Sequence, residues 1–79
     1  MRVHLVYFKP NGKFYTDAEA DTVANTWHGA VQEVLEWHDC GDLPGIQDGI
    51  WYGPVLVTVE GYSVPHLILR GTEGREVVA

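Results

Sequence analysis

The chain has 79 residues, of which 46% are hydrophobic, and a formal net charge of −6 at pH 7. This length predicts one small domain over residues 1–79, and the acidic charge argues against direct nucleic-acid binding, which depends on Lys and Arg. The single Cys40 excludes an internal disulfide, and no apolar run is long enough to span a bilayer, so we expect a cytoplasmic protein without a membrane segment.

The beginning of the chain predicts a β-hairpin. Arg2 to Phe8 is rich in β-branched and aromatic residues, and the Pro-Asn-Gly between Lys9 and Lys13 is typical of a tight turn. Phe14 to Asp21 alternates with period two, which predicts a second strand with an acidic outer face. A helix is the competing interpretation, because the Thr and Glu of this segment fit a capping box. We favour the strand because the marked turn requires a partner for its first strand.

The central stretch, Thr26 to Asp39, predicts an amphipathic helix. Its apolar or half-apolar side chains recur with the spacing of one helical stripe. Thr26 or Asn25 is expected to cap the start, Gly41 is expected to end the helix in a left-handed conformation, and Leu35 is expected to be buried. The stripe consists of Trp27, Ala30, Val31, Val34, Leu35 and His38.

A loop and a second hairpin follow the helix. Residues 41–53 predict the loop, and Val55 to Glu60 predicts a central strand because both of its faces are largely apolar. Val64 to Arg70 predicts a further strand, and the tail from Gly71 to Ala79 is expected either to fray or to add an edge strand. The fold class is therefore α+β: a four-stranded antiparallel sheet of two hairpins, with one amphipathic helix packed on one face. The order of the strands stays open.

No group of side chains predicts a metal site, a cofactor or a catalytic centre. His38, Asp39 and Cys40, with Asp42 nearby, offer ligand atoms but lack the second paired motif of a zinc site. Cys40 also lies at a helix C-terminus, where a thiolate is not favoured. The alternating carboxylates of the second strand are equally typical of a charged edge strand that resists aggregation. We therefore expect a protein that is not an enzyme.

A set of aromatic and basic side chains predicts a binding surface. Exposed aromatic residues with few charges around them usually mark a surface for a partner or a stacking ligand, although a small domain also fills its core with such residues. The two lysines flank a turn that does not require them, and they gather positive charge on an acidic protein. The predicted binding residues are Lys9, Lys13, Tyr15, Trp51, Tyr52 and His66.

Three short motifs stand out in the sequence: Lys9-Pro-Asn-Gly-Lys-Phe-Tyr15, Leu43-Pro-Gly-Ile46 and Pro65-His-Leu-Ile68. These motifs resemble those of a family of small phage and prophage proteins of unknown function. They are similar to KPSGKYY, LPGL and HPHLI in those relatives. This chain has Asn11 where serine is usual and Val64 where a histidine often precedes the proline. The resemblance implies an origin in a phage or an integrated element and no established chemistry.

Two functions of different classes follow as expectations. The first is stoichiometric inhibition of a host defence protein in the cytoplasm of an infected or lysogenic bacterium, which the acidic charge favours. The second is a homo-oligomeric sponge that sequesters a small nucleotide-like signalling molecule, which the aromatic content and the small size favour. The many large aromatic side chains of so small a chain favour a homodimer or higher oligomer that covers part of them, and the second function requires one.

Overall fold

The structure is a computed structural model that describes residues 1–70 and 76–78. Within those residues the chain forms five strands and one helix, which confirms the predicted α+β class and the order hairpin, helix, hairpin. The tail is described only at 76–78, where it adds a fifth strand to the four expected. The elements are β1 (Arg2–Phe8), β2 (Phe14–Asp21), α1 (Trp27–Cys40), β3 (Val55–Val59), β4 (His66–Arg70) and β5 (Glu76–Val78).

The strands form one antiparallel sheet in the order β2-β1-β3-β4-β5. Leu5 in β1 lies opposite Ala18 of β2 on one side and opposite Val57 of β3 on the other. Strand β3 is central, as its two apolar faces predicted. Residues 14–21 form a strand, so the competing helical interpretation of that segment was wrong.

Helix α1 begins and ends where its caps were predicted. The Thr26 hydroxyl accepts a hydrogen bond from the backbone N–H of Gly29 at 3.1 Å, and Gly41 takes the left-handed conformation with φ +74°. Val34 and His38 are buried, but Leu35 is only partly buried, so that expectation was wrong. Leu35 lies at the margin of the buried stripe. No helix in the described part of the chain is long and apolar enough to cross a membrane.

The hydrophobic core lies between α1 and one face of the sheet. Alternate residues of β1 and β3 point into it, and Leu43 from the following loop closes one side. The opposite face of the sheet is not covered by a helix within residues 1–70 and 76–78. The core residues are Val3, Leu5, Tyr7, Ala30, Val31, Val34, Leu43, Val55, Val57, Val59 and Ile68.

Tyr7 is fully buried at the end of β1, and its hydroxyl donates a 2.5 Å hydrogen bond to the carbonyl of Pro44. This bond ties the loop after α1 to the sheet. Burial raises the pKa of the Tyr7 phenol above its usual value of 10, because the phenolate is poorly solvated inside the protein.

The buried phenol predicts a loss of stability at alkaline pH. In the unfolded chain Tyr7 ionises near pH 10, whereas the folded chain keeps the proton to higher pH. Because the folded-state pKa is raised, this stabilisation is present below about pH 10 and is lost as the pH rises further. The free energy of unfolding, measured with urea between about pH 9 and pH 11, should therefore fall more steeply in the parent than in Tyr7→Phe. If the free energy of unfolding falls equally steeply with pH in the parent and in Tyr7→Phe, the Tyr7 phenol does not have a raised pKa in the folded protein.

Candidate functional site

The turn between β1 and β2 holds two lysines at one end of the sheet. The N–H of Lys9 donates to the carbonyl of Lys13, and the N–H of Gly12 donates to the carbonyl of Lys9, both at 2.7 Å. Asn11 accepts a hydrogen bond from the N–H of Lys13 through its side-chain oxygen at 3.0 Å. Gly12 has φ +89°, a conformation that glycine adopts without strain. Both lysine side chains are exposed beside this closed turn.

A β-bulge next to the turn sets the position of Tyr15. Tyr7 pairs with Thr16 and Phe8 pairs with Phe14, so Tyr15 is the additional residue on β2. Bulges interrupt the alternation of a strand and redirect a side chain. The ring of Tyr15 stacks on Trp51, with ring centroids 4.6 Å apart and planes inclined by 24°. The bulge thus brings together two of the predicted binding residues.

Trp51 is anchored to the end of β1. Its indole N–H donates a 2.7 Å hydrogen bond to the carbonyl of Phe8, and its ring meets that of Tyr7 edge-on at 6.1 Å. Gly53 lies so close to β1 that a Cβ atom there would overlap with the Phe8 carbonyl oxygen. The segment with Trp51 and Tyr52 therefore packs closely against the end of β1, next to the turn.

The structure brings five of the six predicted binding residues to this end of the sheet. We call them the turn surface: Lys9, Lys13, Tyr15, Trp51 and Tyr52. Tyr15 and Tyr52 are 51% and 56% exposed, so the rings are available to a partner. Beside them lies an apolar notch of about 130 Å³, lined by Pro10, Trp51, Tyr52 and Gly53.

The sixth predicted residue, His66, lies elsewhere. It pairs with Val57 on the helix-covered face of the sheet, and its ring meets Trp27 of α1 edge-on at 6.0 Å. Its Nε2 is buried and has no hydrogen-bond partner among the described residues. Burial lowers the pKa of the His66 imidazole. The structure therefore places His66 beneath the helix and apart from the lysines with which it was grouped.

The opposite end of the sheet carries polar side chains that were not among the predicted binding residues. Arg2 forms ion pairs with Glu19 at 3.2 Å and with Asp21 at 3.3 Å, and His4 lies 2.8 Å from Asp17. A cleft of about 290 Å³ opens beside them. The hairpin register could have revealed this cluster, because it places Arg2 and His4 opposite the acidic outer face of β2.

The end of α1 does not bring the candidate metal ligands together. His38 is buried whereas Cys40 is exposed, so their side chains lie on different sides of the helix end. Among the described residues, three or more His, Cys, Asp or Glu side chains do not cluster as a metal site would require. The chain matches no protein-family model, no curated protein and no solved structure.

Proposed function

We propose that the protein is a small, non-enzymatic binding protein that inhibits a bacterial host protein by stoichiometric contact through its turn surface. The observation that carries the proposal is the stacked pair Tyr15–Trp51, held beside two exposed lysines. Aromatic side chains are enriched at the centres of protein interfaces and supply much of the binding free energy there. The resemblance to small phage and prophage proteins supports the cytoplasm of an infected bacterium as the setting.

The turn surface is organised before any partner binds. Because Trp51 already donates its indole N–H to the Phe8 carbonyl, a partner can cover the ring without leaving a buried donor unpaired. The stack with Tyr15 restricts both rings, which lowers the conformational entropy lost on binding. Lys9 and Lys13 are exposed at the turn next to this segment, and charges at the edge of an interface mainly steer a partner and set its orientation.

A sponge for a nucleotide-like molecule is the second candidate function. The stacked rings beside two lysines favour it, because bases stack on aromatic side chains and phosphates attract cations. The notch of about 130 Å³ is small, however, against the roughly 300–1,000 Å³ of typical small-molecule sites. One copy of the chain therefore does not enclose such a ligand, and this function requires a homo-oligomer. Inhibition by binding a host protein does not require a homo-oligomer.

Replacing Lys9 and Lys13 together with serine should weaken partner binding at least about tenfold while leaving the fold intact. Exposed charges contribute little to stability, so the melting temperature should change little. The matched control is Gln32→Glu with Gln47→Glu, which changes the net charge equally at two other exposed positions. Each variant is immobilised and exposed to host lysate, and the retained host protein is quantified.

The control should retain its host protein at the parental level, and the lysine variant should lose it by at least about tenfold. Native mass spectrometry of the parent purified from its host then separates the two functions. A complex with one host protein supports inhibition, whereas an oligomer that retains a small molecule supports the sponge. A lysine variant that binds like the parent would exclude Lys9 and Lys13 from the binding site and leave Trp51 and Tyr52 as the next candidates.

A further inference from the structure

The face of the sheet opposite α1 is unpartnered within residues 1–70 and 76–78, and we call it the open face. Residues of β1 and β3 that alternate with the core residues point to it. The matching positions of β2 and β4 follow from the pairing of the strands. The open face comprises Arg2, His4, Val6, Phe8, Phe14, Asp17, Glu19, Asp21, Leu56, Thr58, Glu60 and Leu67.

One half of the open face is apolar. Val6 lies opposite Leu56, which in turn lies opposite Leu67, so three aliphatic side chains form a row across three neighbouring strands. Phe8 follows next along β1. All four side chains remain partly accessible to solvent, although α1 covers the residues that alternate with them. Apolar side chains grouped in this way are typical of a surface that binds another protein.

The other half of the open face is negatively charged. It contains the cleft of about 290 Å³, which Arg2, His4, Glu19, Thr58 and Glu60 line. Arg2 is already held by two carboxylates of β2, whereas Glu60 forms no ion pair within the described part of the chain. With three carboxylates, Glu19, Asp21 and Glu60, and one guanidinium, this half has an excess of negative charge.

We propose that the open face is a docking surface for a basic protein segment that presents aliphatic side chains next to Lys or Arg. The aliphatic side chains would cover the row Val6–Leu56–Leu67, and a cationic side chain would enter the cleft beside Glu60. The complementary charge of the two surfaces is what selects a basic partner. This docking surface goes beyond the proposed function, because it does not use the turn surface.

A second copy of the chain fits the open face less well. Strands lie about 4.8 Å apart and residues on one face about 6.8 Å apart along a strand, so the apolar half covers roughly 300 Å². This is well below the roughly 800 Å² that each partner buries in a standard interface. A stable contact therefore extends over the charged half. A second copy would place there either the same carboxylates or its own apolar half. The first arrangement costs like-charge repulsion, and the second buries unpaired charge.

The test uses a labelled synthetic peptide with a leucine stripe flanked by lysines and arginines, and a counterpart in which every basic residue is glutamate. Binding is measured by fluorescence anisotropy. The parent should bind the basic peptide and not the acidic one. Glu60→Lys and Leu56→Ser should each weaken binding at least about tenfold. Thermal melts establish that each variant is folded, and Glu60→Lys, at an exposed position, keeps the test valid if Leu56→Ser unfolds.

Two controls make the outcome specific. Glu36→Lys, on the exposed side of α1, makes the same change in net charge and should weaken binding less than about threefold. The Lys9 and Lys13 double variant should bind the basic peptide as well as the parent, which separates the open face from the turn surface. The inference is overturned if Glu36→Lys weakens binding of the basic peptide as much as Glu60→Lys does, or if the parent does not bind the basic peptide. Sedimentation showing a dimer that Leu56→Ser dissociates would also overturn it, because the face would then bind a second copy.

Discussion

Replacing Gly49 with alanine is expected to destabilise the domain by about 2–5 kcal/mol, because two unfavourable effects add at this position. Gly49 has φ +68°, a left-handed conformation that costs an alanine about 1–2 kcal/mol. A Cβ atom at Gly49 would also overlap with the backbone carbonyl of Gly41. The segments around Gly49 and Gly41 cannot separate freely, because the Gly49 carbonyl accepts a 3.1 Å hydrogen bond from the N–H of Leu43. Urea denaturation followed by tryptophan fluorescence measures the loss.

Gly12→Ala is the matched control for this substitution. Gly12 also has a positive φ, of +89°, but a Cβ atom there would meet no heavy atom within 4 Å. Gly12→Ala should therefore lower the free energy of unfolding only by the conformational strain of about 1–2 kcal/mol. If Gly49→Ala is no more destabilising than Gly12→Ala, the close approach of the loop to the end of α1 is not a feature of the folded protein.

Leu5→Ala should be comparably damaging, with a loss of about 2–5 kcal/mol in the free energy of unfolding. Leu5 is fully buried on β1 between Ala18 and Val57, so the lost side chain leaves a cavity in the middle of the core. A loss of this size would lower the melting temperature of a domain this small by roughly 10–30 °C. Calorimetry of the parent and the variant measures the difference.

The helix provides the comparison for Leu5→Ala. Leu35 is the same residue type but is only partly buried at the margin of the core, so Leu35→Ala should cost less than about 2 kcal/mol. A larger loss from Leu35→Ala than from Leu5→Ala would mean that the core is not centred on β1. The two variants also test whether Leu35 lies at the edge of the face of α1 that packs on the sheet.

Most of the fold could be predicted from local patterns. The alternation of residues 14–21 predicted β2 only together with the marked turn before it, which requires a partner for the first strand. The strand order was not predicted, although one signal for it was present. Strand β1 has apolar residues on both faces, with Val6 and Phe8 opposite the core side, whereas β2 has an acidic face. A strand that is apolar on both faces belongs inside a sheet.

The candidate site was predicted less well, because it depends on contacts between distant residues. The bulge that turns Tyr15 towards Trp51 requires two residues of β2 to oppose one of β1, and no turn signal marks it. Trp51 reaches the turn only because the loop after α1 folds back onto Phe8. His66 was grouped with the lysines by motif, but its place in the sheet follows from the pairing of β4 with β3. That pairing is a property of the whole sheet.

The position of β1 between β2 and β3 affects the order in which the strands can pair during folding. Strand β1 can pair with β2 early, because only a short turn separates them. Its other edge pairs with β3, and there Val3 lies opposite Val59, which is distant in the chain. Closing so long a loop delays that pairing. On the ribosome, β1 is synthesised before β3 and therefore keeps one edge open until Val55–Val59 has emerged. During that interval the unpaired edge of β1 is open to pairing with another molecule.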